Sequence, residues 1–254
     1  MPVVLKSPSD LERMRAAGAV LASVHERLRG LVQPGITTRE LDSVAYELIT
    51  AAGGSPSFLN YRGYPASICA SVNDEILHGI PGERQLQDGD ILSLDLGVYL
   101  DGFHSDAAVT LPVGIVETRL LELIETAEEC FWIGFRALKA GGRVGDAGSV
   151  IYELATSRGF GIVRDYAGHG VGRRMHEEPS VPNYGQPGSG SKLRVGMTFA
   201  LEPMLTLGTH ETRVLADNWT VVTADGSAAA HYEHTVAITE DGPEILTALT
   251  ANVI

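Results

Sequence analysis

Asp95 and Asp106 flank the dipeptide Asp101-Gly102, which sits between two alternating runs. Asp-Gly in that setting is a strong hairpin signal. With Asp101 and Gly102 as the loop, Leu100 pairs with Phe103, Gly97 with Asp106 and Asp95 with Ala108. The two aspartates then share one face as diagonal neighbours, about 7 Å apart at Cα. Leu92, Leu94, Leu96 and Val98 line the other face, opposite Ala107, Val109 and Leu111, and read as core. Two carboxylates so close repel and raise each other's pKa. Solvent, a cationic side chain or a metal ion must offset that. The polar face, with Ser93 and His104, has no Lys or Arg. From the hairpin alone, a solvated face and a metal site fit equally well.

Three later segments shift the balance towards metal. Gly168-His169-Gly170 sets a histidine between glycines, where backbone can pass close to something. Glu202 ends the apolar run Thr198-Phe199-Ala200-Leu201, and Glu233 lies in a strand-like stretch from Ala230 to Val236. An acid embedded in apolar strand residues needs a partner. Four acids and one imidazole suit a hard or borderline divalent ion, not a thiolate-type structural zinc site.

The elements that must hold these residues are two helix pairs and the strands after them. The first helix spans Ser9 to about Val32, with Leu11, Met14, Leu21, Val24, Leu28 and Leu31 on one face. Thr37 and Glu40 have capping-box spacing and open a second helix ending at Gly53-Gly54, with Leu41, Val44 and Leu48 inward. A third helix covers about Glu117 to Lys139, with Leu120, Leu121, Ile124, Phe131, Phe135 and Leu138 as its stripe. A fourth covers about Asp146 to Arg158. At an offset of 106, Gly35, Ser43, Val44, Tyr46, Glu47, Leu48 and Thr50 recur as Gly141, Ser149, Val150, Tyr152, Glu153, Leu154 and Thr156. Chance gives about one or two such identities in that window. The chain therefore reads as one domain, 1–254, of two duplicated halves, about 1–110 and 111–254, with a cleft between them. A further alternating stretch runs from Arg213 to Thr239 around 224–227.

The 254 residues carry a net charge of −13, with 44% hydrophobic residues. That composition folds, and its acidity argues against nucleic acid as a partner. No run of about 18 apolar residues suggests a membrane span. The opening Met1-Pro2-Val3-Val4-Leu5-Lys6 lacks the order of a signal peptide. Two cysteines, Cys69 and Cys130, do not make a disulfide framework, and a reducing cytoplasmic location is expected.

With these residues in order, the sequence resembles the methionine aminopeptidases of the short bacterial type (type I). The stretches that carry the likeness run through the whole chain: Tyr64 to Cys69, Leu77-His78-Gly79-Ile80-Pro81, Leu94 to Gly97, Asp101 to Asp106, Gly168 to Gly172, Met175 to Pro179, Leu201-Glu202-Pro203-Met204 and Tyr232 to Thr235. The resemblance implies the α/β pita-bread fold, an antiparallel sheet flanked by two helix pairs with an internal pseudo-twofold. It implies a dinuclear centre of two divalent ions (Mn2+, Fe2+, Co2+ or Zn2+). Asp106 and Glu233 would bridge, Asp95 would bind one ion, and His169 with Glu202 the other. Two such ions can share a water and supply the hydroxide that attacks the first peptide bond. By the same likeness Glu202 is the base, His78 lies near the scissile amide nitrogen, and His176 lies near the carbonyl oxygen. Tyr61, Tyr64, Cys69, Met175 and Trp219 would form a pocket for a thioether side chain. Met175 and Phe58 depart from the family pattern, where Phe and a small or Cys residue are common, which leaves the pocket's shape open. The implied activity is removal of initiator methionine before a small second residue. The implied partners are N-termini of nascent polypeptides and a transient ribosome contact, met by a monomer.

His25, His104, His210, His231 and His234 receive no role, although His231 lies two residues from Glu233 and is spaced to support it. The rival peptidases of the same fold, Xaa-Pro aminopeptidases and prolidases, usually add an N-terminal domain. Here about 90 residues precede Asp95, filled by a helix pair and a strand. The long form of methionine aminopeptidase inserts a large segment between its histidine and glutamate ligands, and here His169 and Glu202 are 33 residues apart. A non-enzymatic relative would lose ligands, whereas all five are present.

Overall fold

The computed structural model describes residues 2–248. Met1, at the head of the N-terminal stretch read above, lies outside them, as do 249–254 at the end of the expected second half. Helices α1 (Pro8–Arg29) and α2 (Thr38–Ala51) come first. Strands β1 (Ser55–Pro56), β2 (Ile68–Val72), β3 (Glu75–Leu77), β4 (Ile91–Leu100) and β5 (Phe103–Pro112) follow. Helices α3 (Thr118–Ala137) and α4 (Val144–Ser157) lead into β6 (Gly161–Ile162), β7 (Gly168–Gly170), β8 (Glu177–Val181), β9 (Thr198–Leu201) and β10 (Met204–Thr206). The chain continues through β11 (Thr212–Val214), β12 (Val221–Thr223), β13 (Ala229–His231), β14 (Glu233–Thr239) and β15 (Gly242–Ile245). No helix among the described residues is long and apolar enough to cross a membrane.

Local chemistry sets the helix ends. Ser7 caps α1 and exchanges bonds with Asp10, with Pro8 in the first turn, so the helix starts one residue before Ser9. It ends at Arg29, short of Val32, with Gly30 as its cap. Thr37 N–H donates to Glu40 Oε2 at 2.7 Å, the expected capping box. The matching position at offset 106 behaves alike: Arg143 N–H donates to Asp146 Oδ2 at 2.8 Å. Gly35 and Gly141 both sit at positive φ, 94° and 87°. The Thr50 and Thr156 hydroxyls donate to the Tyr46 and Tyr152 carbonyls, each at 2.7 Å.

Two inward faces differ from the pattern of large residues. In α2 the buried line is Leu41, Ala45 and Ile49, while Val44 and Leu48 are half-buried. In α3 it is Leu123, Ala127, Cys130, Phe131 and Gly134, and Leu121 is exposed. Small residues let these helices lie close to their neighbours: a Cβ at Gly134 would sit 2.6 Å from Ile151.

The main sheet runs β1-β4-β5-β14-β9-β7-β8, with β2 also on β4 and β15 also on β14. One face is covered by the helix pairs. Leu21, Val24, Leu28, Leu41 and Ile49 pack on Leu92, Leu94, Leu96 and Val98. Phe131, Ile151 and Leu123 pack with Phe199, Leu201, Val236 and Ile238. The hairpin has the expected register, with Leu100 opposite Phe103, Gly97 opposite Asp106 and Asp95 opposite Ala108. Asp101 and Gly102 both take positive φ, 49° and 86°, as a two-residue hairpin loop of this kind requires. The stretch from Arg213 to Thr239 is not one hairpin. β12 pairs with β11 and β3, β13 with β10, and β14 joins the main sheet. Asp225 holds the turn between them by accepting from Thr209 and Ser227 N–H groups.

The glycines around His169 are steric requirements. A Cβ at Gly168 would lie 2.3 Å from the Ala200 carbonyl oxygen, and one at Gly170 2.3 Å from that of Glu178. Both neighbours are backbone and cannot rotate away. Gly168→Ala or Gly170→Ala should cost about 3 kcal/mol, read as a fall in melting temperature of about 6–12 °C. Gly30→Ala is the control: its φ is −71° and nothing approaches its Cβ position within 3.6 Å. It should leave melting unchanged or slightly raised.

Candidate active site

Strand register assembles the acids into a row. Cys69 pairs with Asp95, Asp95 with Ala108, and Ala108 with Glu233. His234 pairs with Leu201, so the next step of the same register sets Glu202 beside Glu233. Successive strand residues alternate faces, so this row points away from the helices. Asp106 lies diagonally from Asp95 on the same face. Its N–H donates to Thr235 Oγ1 at 2.9 Å and its carbonyl accepts from the same hydroxyl at 2.8 Å, which pins β5 to β14. The Glu202 carbonyl accepts from Asn183 Nδ2 at 2.8 Å.

All four acids are buried. Burial raises Asp95 to about 7 and, with Asp95 beside it, Glu202 to about 8. Burial raises Asp106 well above its ordinary range, with Asp95 and Glu202 adding to it. Glu233 is raised for the same reasons, by burial and then by Asp106, Glu202 and Asp95. His169 reaches into the group: Nε2 lies 3.6 Å from Asp106 Oδ2 and 3.6 Å from Glu202 Oε1. Its Nδ1–H donates to the Gly170 carbonyl at 3.0 Å, which leaves Nε2 free of a proton when the ring is neutral. Burial holds His169 down to about 4.

The twelve residues singled out in the sequence all line one cavity of about 420 Å³. His176 tilts over His169 with ring centroids 3.9 Å apart, and stacks on Tyr61 at 5.2 Å. His78 meets Trp219 edge-on at 6.1 Å. It takes a φ of 60°, a left-handed conformation unusual for a residue with a Cβ, and such strain is held by its surroundings. Gly79 beside it cannot carry a Cβ, which would lie 2.6 Å from the Ala70 carbonyl oxygen. Burial, then the neighbouring His169, lowers both rings, His78 to about 4 and His176 to about 3. Phe58, Tyr64, Cys69 and Met175 form a buried apolar group with Tyr61 and Trp219 packed against it. Burial, then Asp95, pushes the Cys69 thiol well up, so it stays protonated.

Among the lining residues that escaped the sequence reading are Arg62, Asp165 and Tyr166. They lie on or next to loops, and no periodicity marks them. The other histidines sit elsewhere. His25 Nε2 bonds the Ala107 carbonyl at 2.9 Å, His104 Nδ1 meets Ser57 Oγ at 2.9 Å, and His234 Nδ1 meets Thr247 Oγ1 at 2.8 Å. His231 is different: Nε2 is 3.7 Å from both Glu202 Oε2 and Glu233 Oε2.

Comparison with known proteins adds an independent line. The model of metallopeptidase family M24 matches residues 12–240. The chain is 49% identical over 245 residues to a methionine aminopeptidase of Clostridium perfringens, covering 96% of this chain and 98% of that one. The chain belongs to this family of metallopeptidases. Its fold is close to that of the methionine aminopeptidase of Thermotoga maritima, with a TM-score of 0.96 and 42% identity, over 97% of this chain and all of that one. A prolidase from Pyrococcus furiosus, 22% identical with a TM-score of 0.77, shares the fold over 96% of this chain and 65% of that one. Membership makes the chain a metallo-aminopeptidase, a hydrolase.

The donor set fits the divalent metal that the family implies. Asp95 Oδ1, Asp106 Oδ1 and Glu233 Oε1 are buried without a hydrogen-bond partner among the described residues. Asp95, His231 and Glu233 bring ligand atoms within 4.8 Å of one another, and so do Asp106, His169 and Glu233. Unpaired buried carboxylate oxygens are costly, and a cation satisfies them.

The raised acids make the metal-free chain sensitive to pH. Unfolded Asp and Glu ionise near about 4. The folded chain therefore holds protons the unfolded one has lost, and stability falls as pH rises through the folded values, about 7 for Asp95 and about 8 for Glu202. Below about pH 6.5 the buried neutral histidines act in the opposite sense, so the clean window is about pH 6.5–8.5. Across it the melting temperature of metal-free protein should drop by several degrees, and added Mn2+ or Co2+ should flatten the profile.

Proposed function

We propose that the chain removes the initiator methionine from nascent polypeptides whose second residue is small, in the cytoplasm, as a monomer with transient access to the ribosome. The observation that carries the reading is the meeting of the acid row with an apolar, aromatic pocket in one cavity. In this reading Asp95, Asp106, His169, Glu202 and Glu233 would hold two divalent ions. When bound, such ions polarise the scissile carbonyl and lower the pKa of a water towards neutrality. The single domain of two halves, about 1–110 and 111–254, belongs to the same reading and is supported by the repeated caps and turns at offset 106.

The chain's own groups then divide the work. Phe58, Tyr64, Cys69, Met175 and Trp219 enclose the methionine side chain, whose sulfur packs well against ring edges. Tyr64 and Trp219 already meet edge-on, 5.1 Å apart. Glu202 takes a proton from the attacking water and passes it to the leaving amine. His176, neutral and packed against Tyr61, donates to the carbonyl oxygen as negative charge develops there. His78, also neutral, meets the amide nitrogen and orients the peptide. Every residue invoked comes from one chain.

Hydrolysis of Met-Ala-Ser against Ala-Pro-Ala tests the reading, in metal-free buffer and with added Mn2+ or Co2+. Release of methionine alone, and only with metal, is expected. Cleavage before proline would move the chain to the Xaa-Pro class. His176→Ala should lower kcat about 10²–10³-fold, the loss typical of one oxyanion donor, with KM and melting temperature little changed. A rise in KM with kcat intact would instead make His176 a pocket residue.

A further inference from the structure

His231 is 2% exposed and lies against the acid row, yet neither ring nitrogen has a hydrogen-bond partner among the described residues. A buried imidazole with two idle nitrogens is costly unless something else satisfies it. Its backbone is fixed. The His231 N–H donates to Thr110 Oγ1 at 2.8 Å, and the Thr110 hydroxyl donates to the His231 carbonyl at 2.9 Å. Thr110 is held in turn by Ser93, 2.7 Å away. The ring is therefore aimed by its anchor, not drawn in by a carboxylate.

The distances resemble a coordination shell more than a hydrogen-bond network. His231 Nε2 is 3.7 Å from Glu202 Oε2 and from Glu233 Oε2, too far for hydrogen bonds. Two donors each about 2.1 Å from one ion lie roughly 3.0–3.6 Å apart, so a shift of about 0.1 Å would bring the His231 ring into that range. His169 Nε2 has a similar spacing, 3.6 Å, to Asp106 and to Glu202. Glu202 thus presents one oxygen to each imidazole, and Glu233 belongs to both three-residue groups, one with Asp95 and His231, the other with Asp106 and His169.

We infer that His231 is a further metal ligand, its Nε2 binding the ion on the Asp95 side, so that each ion of the centre has one imidazole. This rests on the two-ion reading above and adds to it. An all-oxygen site favours Mn2+, and an imidazole shifts preference towards Co2+ and Zn2+. The Asp95 side should therefore hold these borderline ions more tightly than its carboxylates alone would.

Proton NMR of the protein loaded with two equivalents of Co2+ tests this. Each cobalt-bound imidazole gives one strongly shifted, exchangeable N–H signal. Two signals are expected, and His231→Gln should remove one and keep the His169 signal. The same variant should lose about tenfold or more in Co2+ affinity at one of two sites by competition titration, with Mn2+ affinity changed by no more than about threefold. A single signal in the wild-type protein would sink the proposal while leaving the centre standing. An unchanged cobalt affinity in folded His231→Gln would do the same. Absence of shifted signals together with no bound cobalt would overturn the two-ion reading itself. The wild-type signal count needs no variant, and His231→Asn serves if His231→Gln does not fold.

Discussion

Four carboxyl groups buried on one face of a sheet repel one another, and the fold holds them there regardless. In water the repulsion would be screened; in the cavity wall it is not, and all four take up protons more readily than exposed acids. Only strict register keeps such a row together. A slip of one residue would turn Asp95 to the helix side and Leu94 or Leu96 to the cavity. The Asp101-Gly102 loop fixes β4 against β5, and the Thr235 hydroxyl, bonded to both ends of the Asp106 peptide, fixes β5 against β14. Helix pairs seal the other face with a continuous apolar layer, so the alternative register would bury the charges in that core.

The histidines answer the acids without neutralising them. Burial keeps His78, His169, His176 and His231 neutral near pH 7. They therefore bring nitrogen lone pairs and single N–H donors, not positive charge. No Lys is among the residues lining the cavity, and its one Arg is Arg62. A row of acids left with neutral neighbours selects a cation from solution, which is the physical basis of a metal-dependent hydrolase on this scaffold.

The parts of this arrangement set by local chemistry were readable from residue order. A two-residue Asp-Gly loop turns hairpin pairing into arithmetic, so the faces of Asp95 and Asp106 followed from their numbers. Glycines on both sides of His169 signalled a close backbone approach, and β8 and β9 supply it. The capping box at Thr37 was legible for the same reason. What depends on packing was not. The buried lines of α2 and α3 follow Ala45, Ala127 and Gly134, small residues that a stripe of large apolar side chains hides. Tyr166 reaches the cavity from a loop and Arg62 from a single 3-10 turn (Tyr61–Gly63), where no period exists to follow.

His231 shows where the two kinds of information meet. Its spacing from Glu233 suggested a shared side, as on a single strand, but Tyr232 separates β13 from β14. Across that break β13 pairs with β10 in a small sheet, and β14 continues the main one. The chain thus changes sheets at the edge of the site. Both His231 and Glu233 face the same carboxylates because the break redirects the backbone between them. On an unbroken strand, residues two apart project in parallel, and their donor atoms would stand side by side rather than converge. Convergence is what a cation needs, and here it comes from the change of sheet.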